Sequence, residues 1–185
     1  MKYKMSELQD LFPNRPAAVL GGGPSLPGDM ERLPAGCLLI AVNEHASQIC
    51  KPDFVVFSDN PRMHPELLEV VENAGGPVRV SENQEFSDVH IDMPIWTGNY
   101  SSCFAAWFGL HLGCNPVLLC GIDCYQRPQP YFHPWDKPVP AMNFDLAFHL
   151  RPWVEEGVHK LPHKERLKAM SGPLMGVFGK YEEAI

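Results

Sequence analysis

Gly21-Gly22-Gly23-Pro24-Ser25 follows directly on an apolar run, Ala17-Ala-Val-Leu20. Glycines at the end of a buried strand let a ligand reach backbone amides, because no Cβ intervenes and positive φ is allowed. Pro24 suits the first turn of a following helix, and a helix N-terminus attracts an anion. The chemistry this segment points to is capture of a phosphate- or ribose-bearing ligand. The glycines match neither the G-x-G-x-x-G dinucleotide pattern nor a P-loop with its lysine. A plain tight turn is therefore the competing reading.

Other polar residues sit at equivalent places. Asn43 ends the apolar run 37–42, Ser58-Asp59-Asn60 ends 53–57, Asp123-Cys124-Tyr125 follows 117–120, and Ser171-Gly172 follows 166–170. The segment Thr97 to Ser102 adds hydroxyls, with Ser101 and Ser102 heading a helical pattern. Open α/β sheets bind ligands beyond the carboxyl ends of their strands, so these strand ends predict one pocket. Each residue also has a structural reading. Asp123 can accept backbone N–H groups in its turn, Asp59 can cap the next helix, and Asn43 can satisfy a turn. His149 lies between Phe148 and Leu150, where a packed histidine is expected as readily as a catalytic one.

The elements that must position these residues alternate between strand and helix. Strands are expected at 17–20, 37–42, 53–57, 77–80, 89–91, 117–120 and 166–170, several of them continuous apolar runs of the kind buried on both faces. Helical spacing marks 7–12 capped by Ser6, a turn at 29–33, 45–49, 65–73 and 101–112, where Phe104, Ala105, Phe108 and Leu112 recur. A partial helix at 143–156 is interrupted by Pro152, and a short one runs toward Tyr181. Pro128, Pro130, Pro134, Pro138 and Pro140 make 126–140 a long irregular loop carrying Tyr131, Phe132 and Trp135, in the manner of a lid. The expectation is a single α/β domain over 1–185: a Rossmann-like, doubly wound, mostly parallel sheet with helices on both faces and a proline-rich lid at about 126–160.

Composition narrows the partners. A net charge of −7 without any Lys/Arg-rich block argues against a nucleic-acid or anionic-membrane surface. The N-terminus lacks the apolar core of a signal peptide, and no apolar stretch would span a bilayer. The six cysteines form no C-x-x-C pair and mostly lie in apolar runs, so they read as small hydrophobes in a reducing, cytoplasmic setting. Self-association is left open as a homo-oligomer.

The segments Leu20-Gly-Gly-Gly-Pro-Ser-Leu26 and Gly121-Ile-Asp-Cys-Tyr-Gln126, with Asn43 between them, resemble the bacterial sialyltransferases of glycosyltransferase family 42. They also resemble the broader motility-accessory-factor group (DUF115), which includes archaeal hydroxymethyl-dihydropterin pyrophosphokinases. The likeness covers about 17–131, with a looser match at Ser171-Gly172-Pro173. It implies a metal-independent glycosyltransferase with a CMP-sialic-acid-like donor, no tightly bound cofactor, and a glycan or small-molecule acceptor. It places the nucleotide on Gly21, Gly23, Pro24, Ser25, Asn43, Ser101 and Ser102. Tyr125 and Tyr131 would donate to the leaving phosphate. His149, with His133 as second candidate, would take the acceptor proton. Gly22 stands where the family usually has an asparagine.

Two further readings follow from the same residues. No Asp-x-Asp occurs, and His90-Ile-Asp92 is a poor metal site. A pyrophosphokinase would instead hold Mg²⁺ and ATP, with Asp59 and Asp123 as the carboxylates. A non-catalytic nucleotide-binding protein would keep the pocket alone. His159 and His163 read as solvated, and Trp107 and Phe108 as core.

Overall fold

Short, mostly apolar runs form the strands of one sheet, the four central ones closed by Gly21, Asn43, Ser58 and Gly121. The computed structural model describes residues 2–73, 75–91, 100–125, 129–135, 145–155 and 157–182. The strands are β1 Ala17–Leu20, β2 Leu38–Val42, β3 Phe54–Phe57, β4 Val78–Ser81, β5 Val89–His90, β6 Val117–Cys120 and β7 Leu167–Ala169. Their order is β5-β4-β3-β2-β1-β6-β7. Every pairing among them is parallel, where a mostly parallel sheet was expected. Ala17 aligns with Leu38 on one side and Val117 on the other. The chain therefore builds outward from β1 in one direction and then crosses to its other side. That reversal opens a crevice at the carboxyl ends of β1 and β6, the usual ligand position in such sheets.

The helices are α1 Met5–Leu8, α2 Leu26–Met30, α3 Pro65–Glu72, α4 Ser101–His111, α5 Leu146–Val154 and α6 Met175–Phe178. They cover both faces. Ala17 and Val19 pack with Phe104 and Phe108 of α4 and Trp153 of α5. Ala18 and Leu20 face the opposite way, onto Leu26 of α2 and Leu67 and Val71 of α3. Because alternate residues serve two cores, β1 is buried at all four positions and carries no polar side chain. Each fully buried Leu or Phe contributes about 1.5–3 kcal/mol of transfer free energy. Gly109 lets α4 lie close to the sheet, since a Cβ there would stand 3.1 Å from Val117 Cγ1.

Local chemistry shifts several boundaries. α1 starts at Met5, with Lys4 and not Ser6 as its N-cap, because the Glu7 carboxylate accepts from Lys4 N at 2.8 Å. α1 ends at Leu8, and Asp10 beyond it has φ 53°. α2 begins at Leu26, ahead of the expected 29–33 turn, with Pro27 in its first turn. Residues His45–Gln48 are 3₁₀. Pro152 lies inside α5 near its C-terminus, and the helix runs two residues past it. Asp145 caps α5, accepting from Ala147 N at 3.0 Å. Asn143, Thr97, Asp92, Gln126 and the lid prolines Pro128, Pro138 and Pro140 lie outside the described residues.

Two buried carboxylates hold the sheet's periphery. Asp29, 1% exposed, sits in α2. Its Oδ2 accepts from Gly121 N at 3.0 Å, Ser171 Oγ at 2.7 Å and Ser25 Oγ at 3.1 Å. Arg32 Nη2 donates to its Oδ1 at 2.6 Å. One side chain thus joins the turns after β1, β6 and β7. At the other edge, Asp88 accepts from Arg79 Nε at 2.9 Å and Nη2 at 2.8 Å, and those bonds hold its carboxyl well below the usual range.

Asp29→Ala leaves the buried Gly121 N–H without its acceptor and is expected to cost about 1–3 kcal/mol, read as a lower urea midpoint at unchanged m-value. The Asp88 carboxyl is depressed in the folded state, so its stabilisation is complete above the unfolded carboxylate range, near pH 4, and is lost as pH falls toward the folded value. Asp88→Asn should therefore lower stability at pH 7 and flatten its decline in acid, measured by urea titrations across that range.

Candidate functional site

The turn after β1 is built from glycine for reasons of space. A Cβ on Gly21 would meet the Gly121 carbonyl, and one on Gly23 would meet the same carbonyl and the Asp123 carboxylate. A Cβ on Gly22 would lie 2.8 Å from both the His45 ring and Tyr131 Cδ1. None of the three has positive φ, so backbone freedom, one of the two reasons read from the sequence, is not used here. Gly23 N donates to Gly121 O at 2.7 Å, which fastens the β1 turn to the β6 turn. Ser25 N donates to Asp123 Oδ2 at 2.8 Å. The anion at the start of α2 is thus the chain's own carboxylate, where the sequence suggested a ligand.

Above these turns lies a cavity of about 380 Å³, within the size range of small-molecule sites. Gly21, Gly22, Gly23 and Asn43 line it from the ends of β1 and β2. Asp59, Ser101 and Ser102 line it from the end of β3 and the head of α4. Asp123, Tyr125, Tyr131 and His149 close the far side. Pro24, Ser25, Ser171 and Gly172 are not among the lining residues. Ser25 and Ser171 bond to Asp29 beneath, and a Cβ on Gly172 would stand 3.1 Å from Asp123 Oδ1.

At the end of the cavity nearest β2, Asn43 adopts φ 54°, a left-handed conformation that asparagine tolerates. Its Nδ2 donates to Asp59 Oδ2 at 3.0 Å. Its Oδ1 is buried with no hydrogen-bond partner among the described residues, and such an orphaned acceptor costs about 1–3 kcal/mol. Ser101 Oγ is held by Ser58, Oγ to Oγ at 2.8 Å, so its hydroxyl has a structural partner. Asp59 and Asp123, the pair a magnesium site would use, each have one oxygen accepting from protein. Among the described residues, no three His, Cys, Asp or Glu side chains are grouped as for a metal ion.

The far end is aromatic. Tyr131 Oη donates to Tyr125 Oη at 3.2 Å. Cys124 and Tyr125 have φ of 54° and 50°, a strained pair that persists only where surroundings enforce it. That conformation brings the Tyr125 ring to 4.9 Å from the His149 ring. His149 is 4% exposed and packs edge-on to Tyr100 at 5.7 Å. Burial pushes both phenols above their ordinary range, so both carry their protons at neutral pH and act as donors. Burial also pushes the Cys124 thiol up to about 12, which makes it a poor nucleophile despite its place. All six cysteines are free thiols.

Among the lining residues that the sequence does not single out as ligand contacts are Glu44, His45, His64 and Trp135. His45 stacks on Tyr131 at 4.3 Å and 23°. It lies two residues beyond Asn43, so extending the strand-end rule by two positions would have found it. Burial raises the Glu44 carboxyl. His133, the second candidate base, does not line the cavity; its ring nitrogens meet His45 and the Pro134 carbonyl. Phe108 is core, Trp107 packs on Phe104, and His159 and His163 are exposed.

This is a Rossmann-like α/β protein with its cavity at the strand-order reversal. No protein-family profile matches the sequence, and no curated protein sequence matches it. Among solved structures, the chain is similar to the sialyltransferase CstII from Campylobacter jejuni in complex with the substrate analogue cytidine-5'-monophosphate. The TM-score is 0.56 at 16% identity, covering 91% of this chain and 86% of that one. It also matches the MAf glycosyltransferase from Magnetospirillum magneticum AMB-1 with a TM-score of 0.46 at 17% identity, covering 65% of this chain. The chain spans 25% of that structure's length. Both neighbours are glycosyltransferases. Among the described residues, no helix is long and apolar enough to cross a membrane.

Gly21, Gly22 and Gly28 are expected to respond differently to alanine. Gly21→Ala meets backbone that cannot retreat and should cost about 1–3 kcal/mol in urea unfolding. Gly22→Ala meets the buried His45 ring at Cγ as well as Tyr131, so it should also lower the urea midpoint, by displacing those rings and not backbone. Gly28 in α2 has nothing within 4 Å of a Cβ, and Gly28→Ala should be neutral or stabilising by up to about 1 kcal/mol.

Proposed function

We propose that the chain is a glycosyltransferase that binds a cytidine-type sugar nucleotide in this cavity and transfers the sugar to a hydroxyl acceptor without a metal ion. The observation that carries the reading is the joint placement of Asn43 and the head of α4 at one end of the cavity, with Tyr125, Tyr131 and His149 at the other. The fold shared with a CMP-bound sialyltransferase supports it.

The roles follow from the hydrogen-bond inventory. Asn43 Oδ1 takes an N–H or O–H of the nucleotide and so gains its missing partner. The N-terminus of α4, with Ser102 beside it, faces the phosphate with the positive end of its dipole. Tyr131 spends its proton on Tyr125, which leaves the Tyr125 O–H to donate to the departing phosphate and polarises that bond. His149 takes the proton of the acceptor hydroxyl as its oxygen bonds to the anomeric carbon. The bond from that carbon to the phosphate oxygen breaks, and cytidine monophosphate leaves with the electron pair. The Gly22 position, an asparagine in the family resembled, needs no side chain here because His45 and Tyr131 occupy that space.

Thermal shift with CMP, UDP, GDP, ATP and CMP-sialic acid tests the reading. CMP or its sugar conjugate should raise the melting temperature equally with Mg²⁺ or EDTA, the rise corresponding to about 2.7 kcal/mol of added stability at a hundredfold excess over Kd. A shift confined to ATP with Mg²⁺ would replace it with diphosphate transfer through Asp59 and Asp123, and no shift with any nucleotide would overturn it. With a turnover assay in hand, Tyr125→Phe should reduce transfer by about 10²–10³, more than Tyr131→Phe. His149→Gln should lower it by about 10²–10⁴ while keeping the CMP-induced shift.

A further inference from the structure

Segment 129–135 is held against the glycine turn by three kinds of contact. Phe132 N donates to Gly22 O at 2.9 Å. Tyr131 stacks on His45, and Trp135 packs on Tyr131 at 4.6 Å and on His45 at 5.6 Å. The third contact joins two imidazoles, His45 Nδ1 and His133 Nε2, 2.9 Å apart.

The protons in that last contact can be placed by elimination. The Pro134 carbonyl lies 3.0 Å from His133 Nδ1 and can only accept, so Nδ1 carries the hydrogen. In the neutral ring His133 Nε2 is then the acceptor, and His45 Nδ1–H donates to it. His45 Nε2 lies 3.7 Å from Glu44 Oε1. Both His45 nitrogens therefore face protein groups, which suits positioning Tyr131 and not proton transfer to a substrate.

The charged and titratable surroundings set the order of protonation. Glu44 faces His45 from the turn after β2; Asp59 beyond β3, with His64 and Glu66 at the start of α3, act on Glu44 in turn. Tyr131 and Tyr125 stand on the lid side. The carboxylates favour a cationic imidazole, so a first added proton settles on His45 Nε2 facing Glu44. The hydrogen bond to His133 survives it. A second proton has only His133 Nε2 to occupy, and that nitrogen is the acceptor. Two N–H groups on two cations would then point at each other.

We propose that His45 and His133 form a one-proton latch that keeps Tyr131 and segment 129–135 closed on the glycine turn near neutral pH and releases them in acid. Across the second protonation the closed state binds one proton fewer than the released state, so closure weakens only as pH falls into that acid range and is regained as pH rises out of it. The latch does not depend on which nucleotide, if any, fills the cavity.

Amide exchange in the full chain tests it, using Phe132 N–H as reporter and Val19 N–H in β1 as the reference for global unfolding. Between about pH 7.5 and about pH 5, with intrinsic rates corrected, Phe132 should lose roughly tenfold protection relative to Val19. His133→Gln supplies a carbonyl acceptor that does not titrate, so its Phe132 protection should stay level. His133→Phe supplies no acceptor and should be weakly protected at both pH values. A level wild-type profile, an equal acid loss in His133→Gln, or parallel loss at Val19 would each overturn the latch.

Discussion

The turns after β1 and β6 touch backbone to backbone, and the cavity depends on that contact. Gly21 and Gly23 lie against the Gly121 carbonyl with no room for a Cβ between them. Asp29 and Asp123 then bind the two turns from below and beside, through Gly121 N and Ser25 N. Buried carboxylates are tolerable here because donors surround them. The result is a floor made of backbone, close enough for a ligand to approach without side chains in the way.

On that floor the cavity divides by chemistry. One end presents an amide oxygen without a hydrogen-bond partner among the described residues, and a helix head; the other presents two protonated phenols and a buried imidazole. The ends belong to different parts of the chain, since Asn43 and Ser102 come from the sheet and α4, whereas Tyr131 and His149 come from the segment beyond β6. The His45 ring links the two, with its backbone at the end of β2 and its face on Tyr131. Local strain at Cys124 and Tyr125 points the same way, because surrounding packing must enforce that turn.

Much of this was legible from residue order. Apolar runs located the strands to within a residue or two, because β1, β3 and β6 are buried at every position and turn residues follow most strands. Asn43, Asp59 and Tyr125 were legible as cavity candidates because a parallel sheet collects its strand ends on one edge, whereas Tyr131 was legible as a lid-loop aromatic and through the family resemblance. Ser25, Ser171 and Gly172 followed from the same rule yet sit under the floor, since position at a strand end does not say which way a side chain turns. Ser6 is expected as a cap, yet α1 starts at Met5 with Glu7 reaching back to Lys4 N, a contact set by rotamer and not by residue type.

The sequence by itself determined the layered α/β fold, since burial periodicity and turn chemistry are local properties that survive any packing detail. It also determined which edge of the sheet would carry polar groups. Tertiary structure alone decided why three glycines stand in a row, because their neighbours, Gly121, Asp123, His45 and Tyr131, come from distant parts of the chain. It alone made Asp29 a hub across three turns and paired His45 with His133, 88 residues apart. Hydrogen bonds between remote residues have no periodic signature, so distances in the folded chain are the only place they can be read.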